Sequence, residues 1–195
     1  MCSEGGAGYP APFSLFVRRW KSISPCDKPM PRFTVLIHTR ENDATRLGRT
    51  LETLRSSDEI IVVDQSPDEE TQSVTRTYGA RYLRSIPGVQ PGAHAVDSRN
   101  DWILCIQPSE AIGEELEASL LEFARDKAPD DVAGFAVHVR EELNGEWREL
   151  APELRLVDRT KINWTDTLPP NVSHADVLRG HLLRFAEPSS TTAQS

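Results

Sequence analysis

Two short apolar runs separated by a helical pattern place the strongest constraint on the fold of this chain. Residues 59–64 form a continuous, β-branched run that ends in an acid, which is typical of a strand buried on both faces of a parallel sheet. A similar run occupies residues 33–38, and Leu47, Leu51 and Leu54 between the two runs recur at helical spacing. Strand, helix and strand in this order predict a parallel α/β sheet.

The alternation of strands and helices continues towards the C-terminus. Helical patterns occupy residues 67–78, with Gly79 placed to cap the C-terminus, and residues 113–127. Further strands are predicted at residues 80–83, 102–106, 134–142, 147–150, 154–158 and 181–185. In sheets of this class ligands bind beyond the carboxyl ends of the strands, which places residues 38–42, 64–68 and 107–110 on one rim.

The two ends of the chain differ from this central region. Residues 1–31 are rich in Gly, Pro and Ser and predict a flexible arm, within which the apolar and basic residues 13–20 could dock on the domain itself, a protein partner or a membrane surface. Residues 187–195 predict a disordered tail. The chain of 195 residues is long enough for one domain with its own core, which we place at residues 32–186.

The net charge limits the kinds of partner that the protein can bind, and the cysteines indicate the redox state of its compartment. The net charge of -8 argues against nucleic-acid binding, which requires a basic surface. The longest apolar runs are far short of the roughly 20 residues that span a bilayer, and no signal-peptide pattern is present. Cys2, Cys26 and Cys105 are widely spaced and show no metal-binding pattern, and Cys105 is expected to be a small buried core residue. A reduced, cytoplasmic location is expected, with peripheral membrane contact as an option.

Several familiar nucleotide and nucleophile motifs are absent from the sequence. No Gly-rich turn follows the first strand, no Gly-Lys-Ser/Thr phosphate loop occurs, and no Gly-x-Ser-x-Gly elbow supplies a nucleophile. The remaining α/β option is a sheet whose strand ends hold a nucleotide through acids and backbone groups.

The first half of the predicted domain carries a family resemblance. Residues 33–66, FTVLIHTRENDATRLGRTLETLRSSDEIIVVDQS, resemble the start of inverting glycosyltransferase family 2, which has the GT-A fold. Residues 74–84, VTRTYGARYLR, are similar to the next helix and strand of that family, and DWIL at residues 101–104 is similar to the strand that leads into its metal site. DEIIVVD followed by DWIL at this interval is the most specific part of the match.

The later part of the chain extends the resemblance. VAGFAVHV at residues 132–139, PELRLVDR at 152–159 and VLRGHLLRF at 177–185 are similar to the lipopolysaccharide-core and related glucosyltransferase branch. The resemblance covers roughly residues 32–186. It implies a GT-A α/β domain with a mostly parallel central sheet, and a nucleotide-sugar ligand, with a UDP-sugar as one option.

The resemblance assigns nucleotide-binding roles to residues at the ends of the first two strands. Asp64 corresponds to the acid that contacts the nucleobase, and Ser66 follows it; a carboxylate acceptor makes strong charge-assisted hydrogen bonds with base N–H groups. Thr39 and Glu41 fall where the loop after the first strand touches the nucleotide. The structural alternatives are a strand-end acid in a turn for Asp64 and a solvated loop charge for Glu41.

The metal motif of the family is degenerate in this chain. Its Asp-x-Asp falls on Gln107, Pro108 and Ser109, where the family acids hold a divalent ion that bridges the donor phosphates. Gln107 is neutral and Ser109 is a poor ligand for Mg²⁺ or Mn²⁺, so these two residues are predicted to contact the nucleotide without supplying charge. Glu110 remains as a candidate for weak binding of Mg²⁺ or Mn²⁺, and no cofactor is firmly predicted.

The general base of an inverting transferase also lacks a clear counterpart. By the resemblance, the base would fall within residues 167–171, which contain no acid or His. Asp166 and Glu153 are therefore the catalytic candidates, with Glu149 as a further alternative. Arg155 is expected to form an ion pair or lie at the surface, with phosphate contact as the other option. His38 ends the first strand on the predicted rim and is expected to be hydrogen-bonded rather than catalytic.

Three functional interpretations follow from these residues. The first is a family 2-like glycosyltransferase that binds a nucleotide-sugar, with weakened or lost metal-dependent transfer. The second is a catalytically inactive pseudo-glycosyltransferase that acts as a binding or scaffolding module and reaches a protein partner through residues 1–31. The third is a different nucleotide-processing α/β enzyme.

Overall fold

A computed structural model of the chain describes residues 32–54, 57–66, 69–126, 131–172 and 175–186. The predicted arm at residues 1–31 and the predicted tail at residues 187–195 lie outside the described residues, so both predictions stay untested. The described residues form strands β1 Phe33–Thr39, β2 Glu59–Asp64, β3 Arg81–Arg84, β4 Trp102–Ile106, β5 Glu110–Ile112, β6 Gly134–Leu143, β7 Glu146–Glu149, β8 Glu153–Asp158 and β9 Asp176–Arg184, helices α1 Ala44–Glu52, α2 Glu70–Thr77 and α3 Glu114–Arg125, and a 3-10 helix, Pro91–Asp97.

The strands form one mixed sheet in the order β3-β2-β1-β4-β8-β6-β9-β5, with β7 paired to β6. The α/β class predicted from the sequence is confirmed, and the first four strands of the sheet pair in parallel. The second half is mixed rather than parallel, since β8 pairs antiparallel with both β4 and β6. The β6–β7 pair is antiparallel as well, because its connection, Asn144-Gly145, has only two residues, both with positive φ, and such a hairpin can join only antiparallel strands.

Both faces of the parallel half of the sheet are covered by apolar side chains. Val35 and Ile37 of β1 pack in one cluster with Leu47 and Leu51 of α1. The neighbouring side chains of β1 point to the opposite face, where Leu36 packs in a second cluster with residues of the 3-10 helix and of the loop after β8. Burial on both faces is the physical reason that β1, β2 and β4 are apolar along most of their length.

The 3-10 helix lies directly against the loop that follows β8. A Cβ atom added to Gly92 would lie 2.1 Å from the carbonyl oxygen of Trp164, and the Gly92 N–H donates to the carbonyl of Thr165 at 3.4 Å. Only glycine allows this approach. The contact holds the segment containing Thr167 and Leu168 close to the carboxyl end of β1.

Two elements were missed by the sequence analysis. β5 has three residues, and the 3-10 helix Pro91–Asp97 carries a mixture of small, polar and apolar residues, so neither presents a periodic apolar pattern. The capping role predicted for Gly79 is supported by its φ of 70° immediately after α2. No helix in the described part of the chain is long and apolar enough to cross a membrane.

Candidate functional site

A cleft of about 380 Å³ opens at the carboxyl ends of β1 and β4. It is lined by His38, Arg40, Glu41, Asn42, Asp43, Arg46, Ile106, Gln107, Pro108, Ser109, Thr167 and Leu168. The predicted rim segments after β1 and β4 therefore do face one cavity. The segment after β2 does not line this cleft, and Asp64 and Ser66 instead line a separate groove with Arg84 and Ile86.

The cleft brings together three of the residues predicted to bind a nucleotide. Glu41 is exposed in the loop after β1, while Gln107 and Ser109 are half-buried in the turn between β4 and β5. Thr39, at the last position of β1, is buried and does not line the cleft, since its hydroxyl donates to Asp64 at 3.1 Å. Asp166 is exposed and does not line the cleft, although its neighbour Thr167 does.

Asp64 is buried and fully hydrogen-bonded within the protein. Its Oδ1 accepts from the Thr39 hydroxyl at 3.1 Å and from the Ser66 N–H at 2.9 Å, and its Oδ2 accepts from the Tyr82 hydroxyl at 3.0 Å. Burial, together with the hydrogen bond to Asp64, raises the pKa of Tyr82. This geometry matches the structural alternative, a strand-end acid that stabilises its own turn, and a nucleobase contact by Asp64 would require one of these partners to be exchanged.

Glu110 lies at the centre of a buried ion-pair network. Its Oε2 accepts from Arg155 Nη1 at 3.0 Å and from the Gln107 N–H at 2.9 Å. Its Oε1 accepts from Arg155 Nη2 at 2.8 Å and from Arg184 Nη2 at 2.9 Å. The side chains of Glu110 and Arg155 are both 0 % exposed. Two guanidinium groups therefore already neutralise the carboxylate that the sequence offered for a metal.

Glu153 belongs to the same network. Its Oε2 accepts from Arg155 Nη2 at 2.6 Å, and its Oε1 accepts from Arg184 Nη2 at 3.1 Å. The expectation that Arg155 forms an ion pair is met, but its side chain is fully buried rather than at the surface and does not line the cleft. Glu153 does not line the cleft either, so this structure gives it no path to an acceptor hydroxyl there.

The described residues do not suit a divalent ion. They contain no group of three or more His, Cys, Asp or Glu side chains that could hold one. Gln107 and Ser109 bring no charge, and Glu110 would have to leave two arginines to coordinate an ion, which is costly for a buried charged group. The metal role that the family resemblance implied for Glu110 is thus at odds with its surroundings.

His38 lies in the cleft wall in an unusual state. Its side chain is 6 % exposed, and neither ring nitrogen has a hydrogen-bond partner, so the expectation of a hydrogen-bonded strand-end histidine is wrong. Burial, with the nearby His94 and Arg40, lowers the pKa of His38 from 6.5 to about 4. The imidazole is therefore neutral at pH 7 and packs with its ring centroid 6.2 Å from that of His94.

The loop between β1 and α1 contributes the cleft residues that sequence reasoning missed. Asn42 has a φ of 70°, an uncommon value outside glycine, and turns the chain into α1. Asp43 accepts a hydrogen bond from the Arg40 N–H at 2.8 Å, and its other oxygen lies 3.8 Å from Arg46 Nη1. Arg40 and Arg46 thereby reach the same cleft. Their sequence signal was two basic residues flanking the predicted start of α1.

A second groove, of about 550 Å³, shares a wall with the cleft. Gln107, Ser109 and Arg46 line both openings. The outer side of the second groove is formed by the β6–β7 hairpin and by residues at the end of β9 and just beyond, listed as Glu141, Glu142, Leu143, Asn144, Gly145, Arg184, Phe185 and Ala186. The turn after β4 thus separates two cavities, an arrangement in which two ligands can lie on either side of it.

Glu149, the further candidate for a base, lies away from both cavities. Its Oε1 is 3.5 Å from His138 Nδ1 and 3.8 Å from His181 Nε2, and its side chain is 55 % exposed. It is a surface acid that groups two half-buried histidines of β6 and β9.

Comparison with known proteins gives a partial sequence match and a shared fold. No protein-family model matches the chain. An uncharacterized glycosyltransferase of Rickettsia prowazekii (strain Madrid E) is 28 % identical over 97 residues, which cover 45 % of this chain and 31 % of the relative. The chain therefore matches less than a third of the length of that relative.

Among solved structures, 4-diphosphocytidyl-2C-methyl-D-erythritol synthase superposes with a TM-score of 0.53 at 16 % identity, covering 80 % of this chain and 94 % of the synthase. Mannosyl-3-phosphoglycerate synthase from Rubrobacter xylanophilus gives a TM-score of 0.42 at 18 % identity, over 57 % of this chain and 40 % of that protein. The chain has the mixed α/β, GT-A-like fold that its sequence predicted.

Proposed function

We propose that this protein is a glycosyltransferase family 2-like protein that binds a nucleotide-sugar and has weakened or lost metal-dependent sugar transfer. The observation that carries the proposal is the cleft at the ends of β1 and β4, where Glu41, Gln107 and Ser109 meet. A ligand site in this position is expected of an α/β sheet of this kind. The partial match to a glycosyltransferase adds support.

The weakening of metal-dependent transfer is inferred from the charge of the site. A transferase that uses a divalent ion relies on it to neutralise the leaving diphosphate. The acid that follows Gln107 and Ser109 in the sequence, Glu110, is hydrogen-bonded to two arginines. If such an ion contributes about 4 kcal/mol to the barrier, its loss lowers the rate roughly a thousandfold.

Calorimetric titration tests the proposal. We expect weak binding of UDP and UDP-sugars by the wild-type protein, unchanged by Mn²⁺ or by EDTA. A Gln107→Trp variant should not bind them, because its indole would occupy space in the cleft. A Gln72→Trp variant on α2 serves as the matched control and keeps the binding. Absence of heat with every nucleoside diphosphate tested would refute the nucleotide-sugar assignment, and tight Mn²⁺-dependent binding would refute the weakened metal role.

The alternative function is a pseudo-glycosyltransferase that serves as a binding or scaffolding module in the cytoplasm, or at a membrane surface, through residues 1–31. The observation that favours it is that neither catalytic candidate lines the cleft, since Glu153 is held by Arg155 and Arg184 and Asp166 is not among the lining residues. Deletion of residues 1–31 is then expected to abolish capture of the partner while leaving the thermal unfolding of the domain unchanged. Capture by the truncated protein would exclude the arm as the contact.

A further inference from the structure

The cleft contains two arginines that have no role in a metal-dependent transfer. Its lining includes two arginines, Arg40 and Arg46, which lie on either side of the turn that leads into α1. The histidine that lines the same cleft, His38, is neutral at pH 7 and adds no charge. Among the side chains that line the cleft, positive charge therefore comes from the two guanidinium groups.

Two acids, Glu41 and Asp43, line the cleft with the two arginines and balance their formal charge, so what matters is which arginine is free of an acid. Asp43 is used locally, since its carboxylate accepts from the Arg40 N–H and lies 3.8 Å from Arg46 Nη1. Glu41 is exposed at the cleft entrance. The guanidinium of Arg40 forms no ion pair with any residue in the described part of the chain, and its side chain is exposed at the cleft. It is therefore available to an anion that enters the cleft.

Two further observations place an acceptor-rich ligand near these arginines. The start of α1 opens on the cleft, and Asp43, the residue before it, makes no side-chain hydrogen bond to the first N–H groups of the helix, which a ligand oxygen can therefore approach. His38 is buried in the wall of the same cleft with both ring nitrogens unpartnered. An unsatisfied buried imidazole is unfavourable until a ligand oxygen or a similar group accepts its N–H.

Because these residues suit an anion and the neighbouring residues do not suit a divalent ion, we propose that Arg40 and Arg46 bind the diphosphate of the nucleotide ligand directly. The two guanidinium groups then take over the charge neutralisation that a metal ion supplies elsewhere, and Arg is suited to this because its forked N–H donors match phosphate oxygens. Arg46 leaves or shares Asp43 when the ligand arrives. This inference rests on the proposed nucleotide-sugar function and specifies how the phosphates are held.

Titration with three probes in buffer containing EDTA tests the inference. The probes are UDP, uridine and inorganic pyrophosphate, and the variants are Arg40→Gln, Arg40→Lys and Arg46→Gln, each checked for an unchanged circular dichroism spectrum and melting temperature. Arg76→Gln, an exposed arginine on α2, is the matched control. We expect Arg40→Gln and Arg46→Gln each to weaken UDP and pyrophosphate binding about tenfold, since each removes a charge-assisted hydrogen bond. Arg40→Lys should retain part of the affinity and Arg76→Gln all of it.

The remaining outcomes separate this inference from the function on which it rests. UDP binding that requires Mn²⁺, or that is unaffected by both arginine variants, overturns the inference and leaves the nucleotide-sugar function standing. Arginine-dependent binding of pyrophosphate without any binding of UDP overturns the nucleotide-sugar function and supports an anion site of another kind. Absence of binding by both UDP and pyrophosphate overturns both proposals.

Discussion

Substitution of Glu110 by Gln discriminates between a structural acid and a metal ligand. The carboxylate is fully buried and accepts hydrogen bonds from Arg155 and Arg184, so neutralising it leaves the buried guanidinium of Arg155 short of its main counter-charge. Removing one partner of a buried pair costs about 3–5 kcal/mol. Glu153 stays within 2.6 Å of Arg155 and offsets part of the loss, which places the expected cost near the lower end, about 3 kcal/mol.

The assay is equilibrium unfolding in urea, with the free energy of unfolding compared between the wild-type protein and the variant. Glu122→Gln is the control, because Glu122 pairs with Arg179 at 2.6 Å on the surface, with side chains 58 % and 68 % exposed. An exposed pair of this kind contributes at most about 1 kcal/mol. A double variant, Glu110→Leu with Arg155→Met, should recover most of the stability lost by Glu110→Gln, since replacing both members of a buried pair by apolar groups is often neutral.

Two results would refute this reasoning. A cost for Glu110→Gln no larger than that of Glu122→Gln would mean that the buried network contributes little to the fold. A loss of Mn²⁺ binding at unchanged stability would identify Glu110 as a metal ligand after all.

Two further predictions concern the cleft. The double change Gln107→Asp and Ser109→Asp should create Mn²⁺-dependent UDP binding if this turn is a degenerate metal site. The charge-matched double change Gln72→Asp and Ser73→Asp on α2 should not create it. If calorimetry shows no gain for the first variant, the alignment of this strand with the family motif is contradicted. His38 binds its proton less readily in the folded protein, with a pKa of about 4 against 6.5, so unfolding takes up a proton and stability should fall as pH drops from about 6.5 to 4. The full loss is roughly 3 kcal/mol, and urea unfolding of a His38→Leu variant should show a shallower decline with pH; an identical pH slope would contradict the buried neutral state.

The parallel half of the fold was predictable because each of its strands carries its own signal. β2 is observed at Glu59–Asp64 and β4 at Trp102–Ile106, the same residues that the apolar runs predicted. These strands are buried on both faces, so their sequences are apolar without interruption and do not depend on knowing their neighbours. β5, with three residues, has no room for a periodic pattern of its own.

The candidate site was predictable in its position but not in its electrostatics. The rim segments after β1 and β4 followed from sheet topology, and Gln107, Ser109 and Glu41 line one cleft, whereas Asp64 and Ser66 line a separate groove. The binding of a nucleotide by these residues stays a prediction. The surroundings of Glu110 did not follow, because its partner Arg155 is 45 residues away and Arg184 is 74 residues away. Pairs at such separations form only when β5, β8 and β9 come together, and no local pattern in the sequence encodes them.

The contact between Gly92 and Trp164 has a consequence for how such a cleft can diverge. Any side chain at position 92 would overlap the carbonyl of Trp164, so the segment that follows, with Thr167 and Leu168, would have to shift. Those two residues form part of the cleft wall. Gly92 therefore influences the width of the cleft although it does not line the cleft. A substitution at position 92 is therefore expected to change the cleft without altering any residue that lines it.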